Sequence, residues 1–322
     1  MLPDAREKAK KFQHMIEQAS SIAIIGHVNP DGDCIGSNLG LYNYIIDNYK
    51  DKKVDVYEES FSSSFKFLNG AKKIKHDTNG DSYELAISVD VSDVERLGKF
   101  KELYNTSIST ACIDHHVSNK GFGDFCYIDP DASSACEALV DILDLEKISL
   151  NAAQSLYLGI VHDTGVFKYG ATSRHTMEVA GALLEKGVDS AYIIDETFYK
   201  KSYKQNLLMS RVILESNLYE GGKVISGYIS KEMFKEFKCT KQDTEGIVEQ
   251  LRLTDGVEVA IFAYQLAKKS YKFSLRAKNY VDVNAIAQHF GGGGHIRAAG
   301  FSVEDYEKTM EELLPMVKEQ LK

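Results

Sequence analysis

Read from its N-terminus, the chain alternates short apolar runs with stretches whose apolar residues recur at helical spacing. "SIAIIG" (21–26), "KKVDVY" (52–57), "ELAISVD" (84–90) and "SISTACID" (107–114) are short and bounded by turn formers, which predicts strands. Between them lie helical or irregular segments, including an amphipathic stretch from Cys34 to about Tyr49. From Ser133 to Leu214 the pattern is helical, as in "ACEALVDILDL" and "NAAQSLYLGIVHDTG". Strands alternating with helices predict an α/β fold with a largely parallel sheet flanked by helices, whose ligands sit outside the carboxyl ends of the strands. Near residue 215 the character changes. "NLYEGGKVISGYIS" reads as a hairpin turning at Gly221-Gly222, "VEVAIFAYQL" and "YKFSLRAK" as strands, and the segment from Val303 as a final helix. The predicted division is a first domain over 1–195, a charged connecting helix over 196–215 and a smaller α/β domain over 216–322. The active site is expected in the cleft between the two domains.

Composition narrows the class of protein. With 322 residues, 43% hydrophobic and 26% charged, the chain has the make-up of an ordinary globular protein of one large or two modest domains. No apolar segment reaches the roughly eighteen residues of a membrane span. "MLPDAREKAKKFQHMIEQAS" reads as an amphipathic helix rather than a secretory signal. Five cysteines without a CxxC pair argue against a disulfide framework or a thiolate zinc site. These features predict a soluble, cytoplasmic protein without a membrane partner. A net charge of −9 disfavours long duplex DNA, because phosphate neutralisation supplies much of such affinity. A phosphate-bearing partner is expected to be small and held by a few local cations or metals.

The chemistry gathers where the apolar runs end. "SIAIIG" leads into His27, Asp31 and Asp33, "ELAISV" into Asp90, "SISTACI" into Asp114, His115 and His116, and the helical "SLYLGIVHDTG" delivers Asp163. A single Asp after a strand is most often a turn or helix-cap residue. Four such coincidences along parallel neighbours would converge at one sheet edge. Carboxylates crowded there would repel one another unless protons or divalent metals intervened. A mixed Asp/His set without thiolates suits Mn²⁺, Mg²⁺ or similar ions better than structural zinc. Two such ions bridged by a carboxylate are a standard device of phosphoryl transfer.

"DHH" at 114–116, preceded by "HVNPDGDCIGS" (27–37) and "VDVSDVERLG" (89–98) and followed by "GIVHDTGVF" (159–167), resembles the DHH phosphoesterase superfamily. "SLRAK" (274–278) and "GGGGHIRAAGF" (291–301) look like its DHH-associated C-terminal domain. Within that superfamily the length and layout are similar to the NrnA-type bifunctional oligoribonuclease and pAp phosphatase group. The resemblance implies hydrolysis of RNA oligomers of two to five nucleotides, and of 3′-phosphoadenosine 5′-phosphate (pAp) to AMP. It implies two divalent ions, with Mn²⁺ ahead of Mg²⁺ and Co²⁺, activating a bridging hydroxide. His27, Asp31 and Asp90 would hold one ion, and Asp33, Asp90, His115 and Asp163 the other. His116 would serve the scissile phosphate as hydrogen-bond donor or leaving-group acid, and Asp114 would orient a ligand histidine. Arg276, Gly292, Gly293, Gly294 and His295 would clamp the distal nucleotide, with the glycine amides next to a helix start suiting an anion. The family pattern puts a serine where Ala277 stands. A homodimer is implied in the same way. The alternatives are a phosphodiesterase for linear or cyclic dinucleotides (pApA or c-di-AMP type), and a non-enzymatic nucleotide sensor on the same fold.

Overall fold

The apolar runs of the first two-thirds become strands of one parallel sheet. The computed structural model describes residues 5–321, so residues 1–4 of the predicted N-terminal helix lie outside it. The chain divides after Lys200 into two units. The first runs α1 (Ala5–Gln18), β1 (Ser21–Ile25), α2 (Gly32–Asn48), β2 (Lys53–Tyr57), β3 (Leu85–Val89), α3 (Lys101–Asn105), β4 (Ser109–Asp114) and β5 (Phe125–Ile128), then α4 (Ala135–Ile142), α5 (Leu150–Asp163), α6 (Arg174–Glu185) and α7 (Ser190–Ile194). Its strand order is β2-β1-β3-β4-β5, parallel throughout. Every residue of β3, "LAISV", is buried, as a central parallel strand covered on both faces requires.

Helix α2 departs from the amphipathic expectation, because every residue from Gly32 to Ile45 is buried. It lies among α4, α5 and the sheet, so no face meets water. The polar side chains that suggested an outward face are satisfied internally. Ser37 Oγ and Asn38 Nδ2 donate to the Cys34 carbonyl at 3.1 and 2.7 Å, and Asn43 Nδ2 donates to the Leu39 carbonyl at 2.8 Å. A Cβ on Gly36 would come within 2.6 Å of the Ser155 carbonyl and 2.8 Å of the Gly159 amide, so glycine permits the close crossing of α2 and α5.

The second unit runs α8 (Tyr203–Leu214), β6 (Asn217–Tyr219), β7 (Val224–Ile229), α9 (Lys231–Glu236), α10 (Ile247–Arg252), β8 (Val259–Ala267), β9 (Ser270–Ala277), α11 (Val283–His289), β10 (Gly293–His295), β11 (Ala298–Val303) and α12 (Tyr306–Gln320). The sheet order is β10-β11-β9-β8-β7-β6, antiparallel except where β7 meets β8. One core joins α11 and α12 to Ile261, Phe273 and Leu275. The other joins α8, α9 and α10 to Ile225, Ala260 and Phe262. Helix α8 buries Leu208 and Val212 in that second core. The helix expected from Val303 starts at Tyr306, because Val303 still pairs with Tyr271 as the last residue of β11.

Candidate metal centre

Parallel order brings the ends of β1, β3 and β4 side by side, and α5 ends beside them. Asp90 leaves β3 with φ 62°, a left-handed conformation that Asp tolerates better than most residues. Its buried carboxylate faces two imidazoles at once. His27 Nε2 lies 3.4 Å from Oδ2, and His115 Nε2 lies 3.6 Å from Oδ1. Asp31 Oδ1 stands 3.8 Å from the same His27 nitrogen. Asp33 Oδ2 and Asp163 Oδ2 stand 3.8 and 3.2 Å from the same His115 nitrogen. Two half-sites thus share one carboxylate.

Four of the six donors are aimed from behind. His27 Nδ1 bonds the Val28 carbonyl at 2.8 Å, and Arg96 Nη2 lies 3.1 Å from the same nitrogen. His115 Nδ1 faces the Ala132 carbonyl at 3.4 Å. Both rings therefore turn Nε2 toward the carboxylates. Asp31 caps α2, its Oδ1 accepting from the amides of Asp33 and Cys34, both at 3.1 Å. Fully buried Asp33 accepts from the Ala135 and Cys136 amides at 2.6 and 3.1 Å, so the start of α4 supports its charge.

Asp114 orients a different histidine from the one expected. It accepts from His116 Nδ1 at 2.8 Å and from Asn119 Nδ2 at 2.7 Å, whereas the ligand-type His115 is aimed by a backbone carbonyl. The physical reason is alternation, because successive residues at the end of β4 project to opposite sides and Asp114 shares its side with His116. Asn119, the Ala132 carbonyl and the start of α4 were not foreseen. Only "DHHVSN" offered a signal, an amide side chain shortly after the histidines. Glu58 and Cys34 were also missed as a buried pair, the thiol lying 3.5 Å from Glu58 Oε1.

The electrostatics fit a divalent cation. Burial opposes charge on His27 and His115, yet the surrounding carboxylates outweigh it and push both up to about 10. Burial raises Asp163 to about 7, with Asp90 and Asp31 adding repulsion against the pull of His115. Burial and the charges of Asp90 and Asp163 push Asp33 up, while His115 pulls the other way. Asp90 Oδ1 is buried and accepts no hydrogen bond. Protons on the histidines therefore balance a carboxylate cluster whose central oxygen lacks a partner, a set that a hard divalent ion satisfies.

In the second unit the predicted clamp lies on two faces. Arg276 on β9 pairs with Ala298 on β11, which pairs in turn with His295 on β10, so all three share one sheet face. Ala277 points the other way into the core and is 4% exposed, so a side chain there would not join Arg276. The glycine run corrects the expected helix start, because it follows α11 and enters β10. A Cβ on Gly292 would sit 2.3 Å from the Gly300 carbonyl, and one on Gly294 2.4 Å from that of Ala298. Close approach of β10 to β11 therefore accounts for these two glycines.

Fold and donor set define the class, an α/β protein with a divalent-metal centre at the carboxyl edge of a parallel sheet. Residues 21–160 match the DHH family N-terminal domain and residues 221–322 the DHHA1 domain, and the chain belongs to the DHH family. It is 32% identical over 314 residues to a protein of Streptococcus mutans named as a probable bifunctional oligoribonuclease and PAP phosphatase NrnA, covering 94% of this chain and 97% of that one. It is 28% identical to the bifunctional oligoribonuclease and PAP phosphatase NrnA of Thermus thermophilus, covering 93% and 90%. The crystal structure of an exopolyphosphatase-related protein from Bacteroides fragilis superposes with a TM-score of 0.83 at 27% identity, over 98% of this chain and 95% of that one. Among the described residues no helix is long and apolar enough to cross a membrane.

Proposed function

We propose that this chain is a phosphoric-ester hydrolase that degrades very short RNA oligonucleotides to mononucleotides and removes the 3′-phosphate of pAp to leave AMP. The observation that carries the reading is the Asp90 carboxylate set between His27 and His115. Near-complete mutual coverage with relatives named for these two activities supports it. His27, Asp31 and Asp90 would hold one divalent ion, and Asp33, Asp90, His115 and Asp163 a second, Mn²⁺ before Mg²⁺ or Co²⁺. Bound there, such ions supply Lewis-acid activation of the phosphate and of the attacking water. The protein's own part is positioning and proton transfer. His116 is fixed at Nδ1 by Asp114, the hydrogen bond that chiefly raises its pKa, so it keeps a proton for the leaving oxygen. Arg276, His295 and the amides of Gly292, Gly293 and Gly294 hold the distal nucleotide.

The test is a substrate panel with Mn²⁺, Mg²⁺ and Co²⁺. pAp and a 5′-labelled trinucleotide RNA are hydrolysed, long duplex DNA is spared, and linear and cyclic dinucleotides compete as alternative substrates. If purified chain with Mn²⁺ left both pAp and the trinucleotide intact, the reading would fall. Asp90→Ala removes the shared carboxylate and abolishes turnover, and full activity in that variant would remove the two-ion assignment. The same reading carries a homodimer in the cytoplasm. Sedimentation of the purified chain tests the dimer, and cell fractionation tests the location.

A further inference from the structure

A basic pocket, separate from the metal centre, lies in the first unit, beyond β2. It measures about 420 Å³, and its lining includes Ser60, Phe61, Lys66, Lys72, Ile74 and His76. None of these residues is acidic. Of the carboxylates on the flanking chain, Asp77 pairs with Lys99 at 2.7 Å while also facing His76, and Glu59 accepts from the Asn29 amide at 3.1 Å. His76 Nδ1 is committed to the Glu58 carbonyl at 2.8 Å, which leaves Nε2 available to a ligand. The Phe61 and His76 rings lie with centroids 6.2 Å apart, tilted by 45°, and offer a planar ligand an aromatic wall. Two ammonium groups, an imidazole and a hydroxyl around an aromatic ring match a phosphate monoester carrying a flat base.

The segment behind the pocket also holds the loop of the metal centre. Residues 58 and 59 continue β2, and the Glu58 amide donates to the Lys75 carbonyl at 3.1 Å. From there Glu58 reaches the Cys34 thiol at 3.5 Å, and Glu59 holds the Asn29 amide within "HVNPDGD". A ligand on His76 thus bears, through one short segment, on the loop that carries His27, Asp31 and Asp33.

We propose that this pocket binds a nucleoside monophosphate and thereby slows the metal centre as its product accumulates. The product identity rests on the function proposed above, and the pocket does not. AMP and inorganic phosphate are titrated calorimetrically into the full chain, and AMP is then tested as an inhibitor of pAp hydrolysis. Wild type binds AMP at two sites and retains inhibition at saturating pAp. In K66Q/K72Q the second site weakens at least about tenfold and that inhibition disappears, as loss of two charge-assisted contacts requires. Both lysines are exposed, so the variant folds and keeps its turnover in the absence of AMP. F61L weakens AMP but not inorganic phosphate. Equal losses for both ligands in F61L would overturn the nucleotide assignment. AMP binding that K66Q/K72Q leaves unchanged at every site, or no AMP binding in wild type, would overturn the proposal. Failure of wild type to hydrolyse pAp would instead remove the function while leaving the stoichiometry to test the pocket.

Discussion

Glu58 is a fully buried carboxyl that, among the described residues, accepts a side-chain hydrogen bond from the Cys34 thiol alone, 3.5 and 3.6 Å from its two oxygens. Burial pushes it from 4.5 up to about 8, against the pull of His27 and of the thiol. The unfolded chain loses this proton near pH 4.5, whereas the folded chain keeps it until about 8, so stability falls as pH rises across that window. At about 1.36 kcal/mol per unit the full displacement costs about 5 kcal/mol above pH 8, and about 3 kcal/mol at pH 7. Glu58→Gln mimics the protonated acid and removes that cost. In urea unfolding with chelator present, the variant matches wild type at pH 4.5 and exceeds it by about 3 kcal/mol at pH 7. A wild-type-to-variant difference that stays constant from pH 4.5 to pH 8 would refute the reasoning, because only a displaced titration makes it vary.

Three further outcomes follow from the same geometry. With His27 and His115 raised to about 10, cation binding at pH 7.5 displaces protons. Calorimetry of Mn²⁺ in buffers of different ionisation enthalpy then reads at least one proton released, apparent affinity rises with pH, and buffer-independent heats would contradict it. Asp114→Asn removes the main cause of the raised His116 pKa, so the alkaline limb of the kcat profile moves to lower pH. An unmoved limb would deny His116 its role as acid. Gly36→Ala forces α2 off α5 and lowers stability by about 1–3 kcal/mol, read by thermal unfolding, and an unchanged Tm would show that the crossing can relax.

Strands β1, β3 and β4 were legible because buried parallel strands carry apolar runs, β3 most fully, whereas the edge strand β2, "KVDVY", showed itself by alternation. Strand β5, "FCYI", escaped notice because it is a four-residue edge strand with alternating burial, too short for its period to stand out. The ligand-type residues could be read because strand ends in a parallel sheet converge, so position along the chain translates into position at one edge. Their supports could not. The amides that hold Asp33 and the carbonyl that aims His115 are backbone atoms, which every residue carries alike. Likewise "GGGG" signals only that side chains are excluded. Whether a ligand or a neighbouring strand excludes them is decided by the pairing of β10 with β11.

The proposed centre draws its donors from positions 27, 31, 33, 90, 115 and 163, a span of 137 residues (27 to 163 inclusive), so no short peptide of this chain contains the whole set. At about 5–20 residues per second, ribosomal synthesis separates His27 from Asp163 by roughly 7 to 27 seconds. During that interval the nascent chain offers only fragments, such as the loop at 27–33, in place of the shared-carboxylate arrangement. Capture of the correct ion therefore waits until β4 has paired and α5 has docked. Selection among cellular metals falls to the finished architecture, after synthesis of the first unit is over.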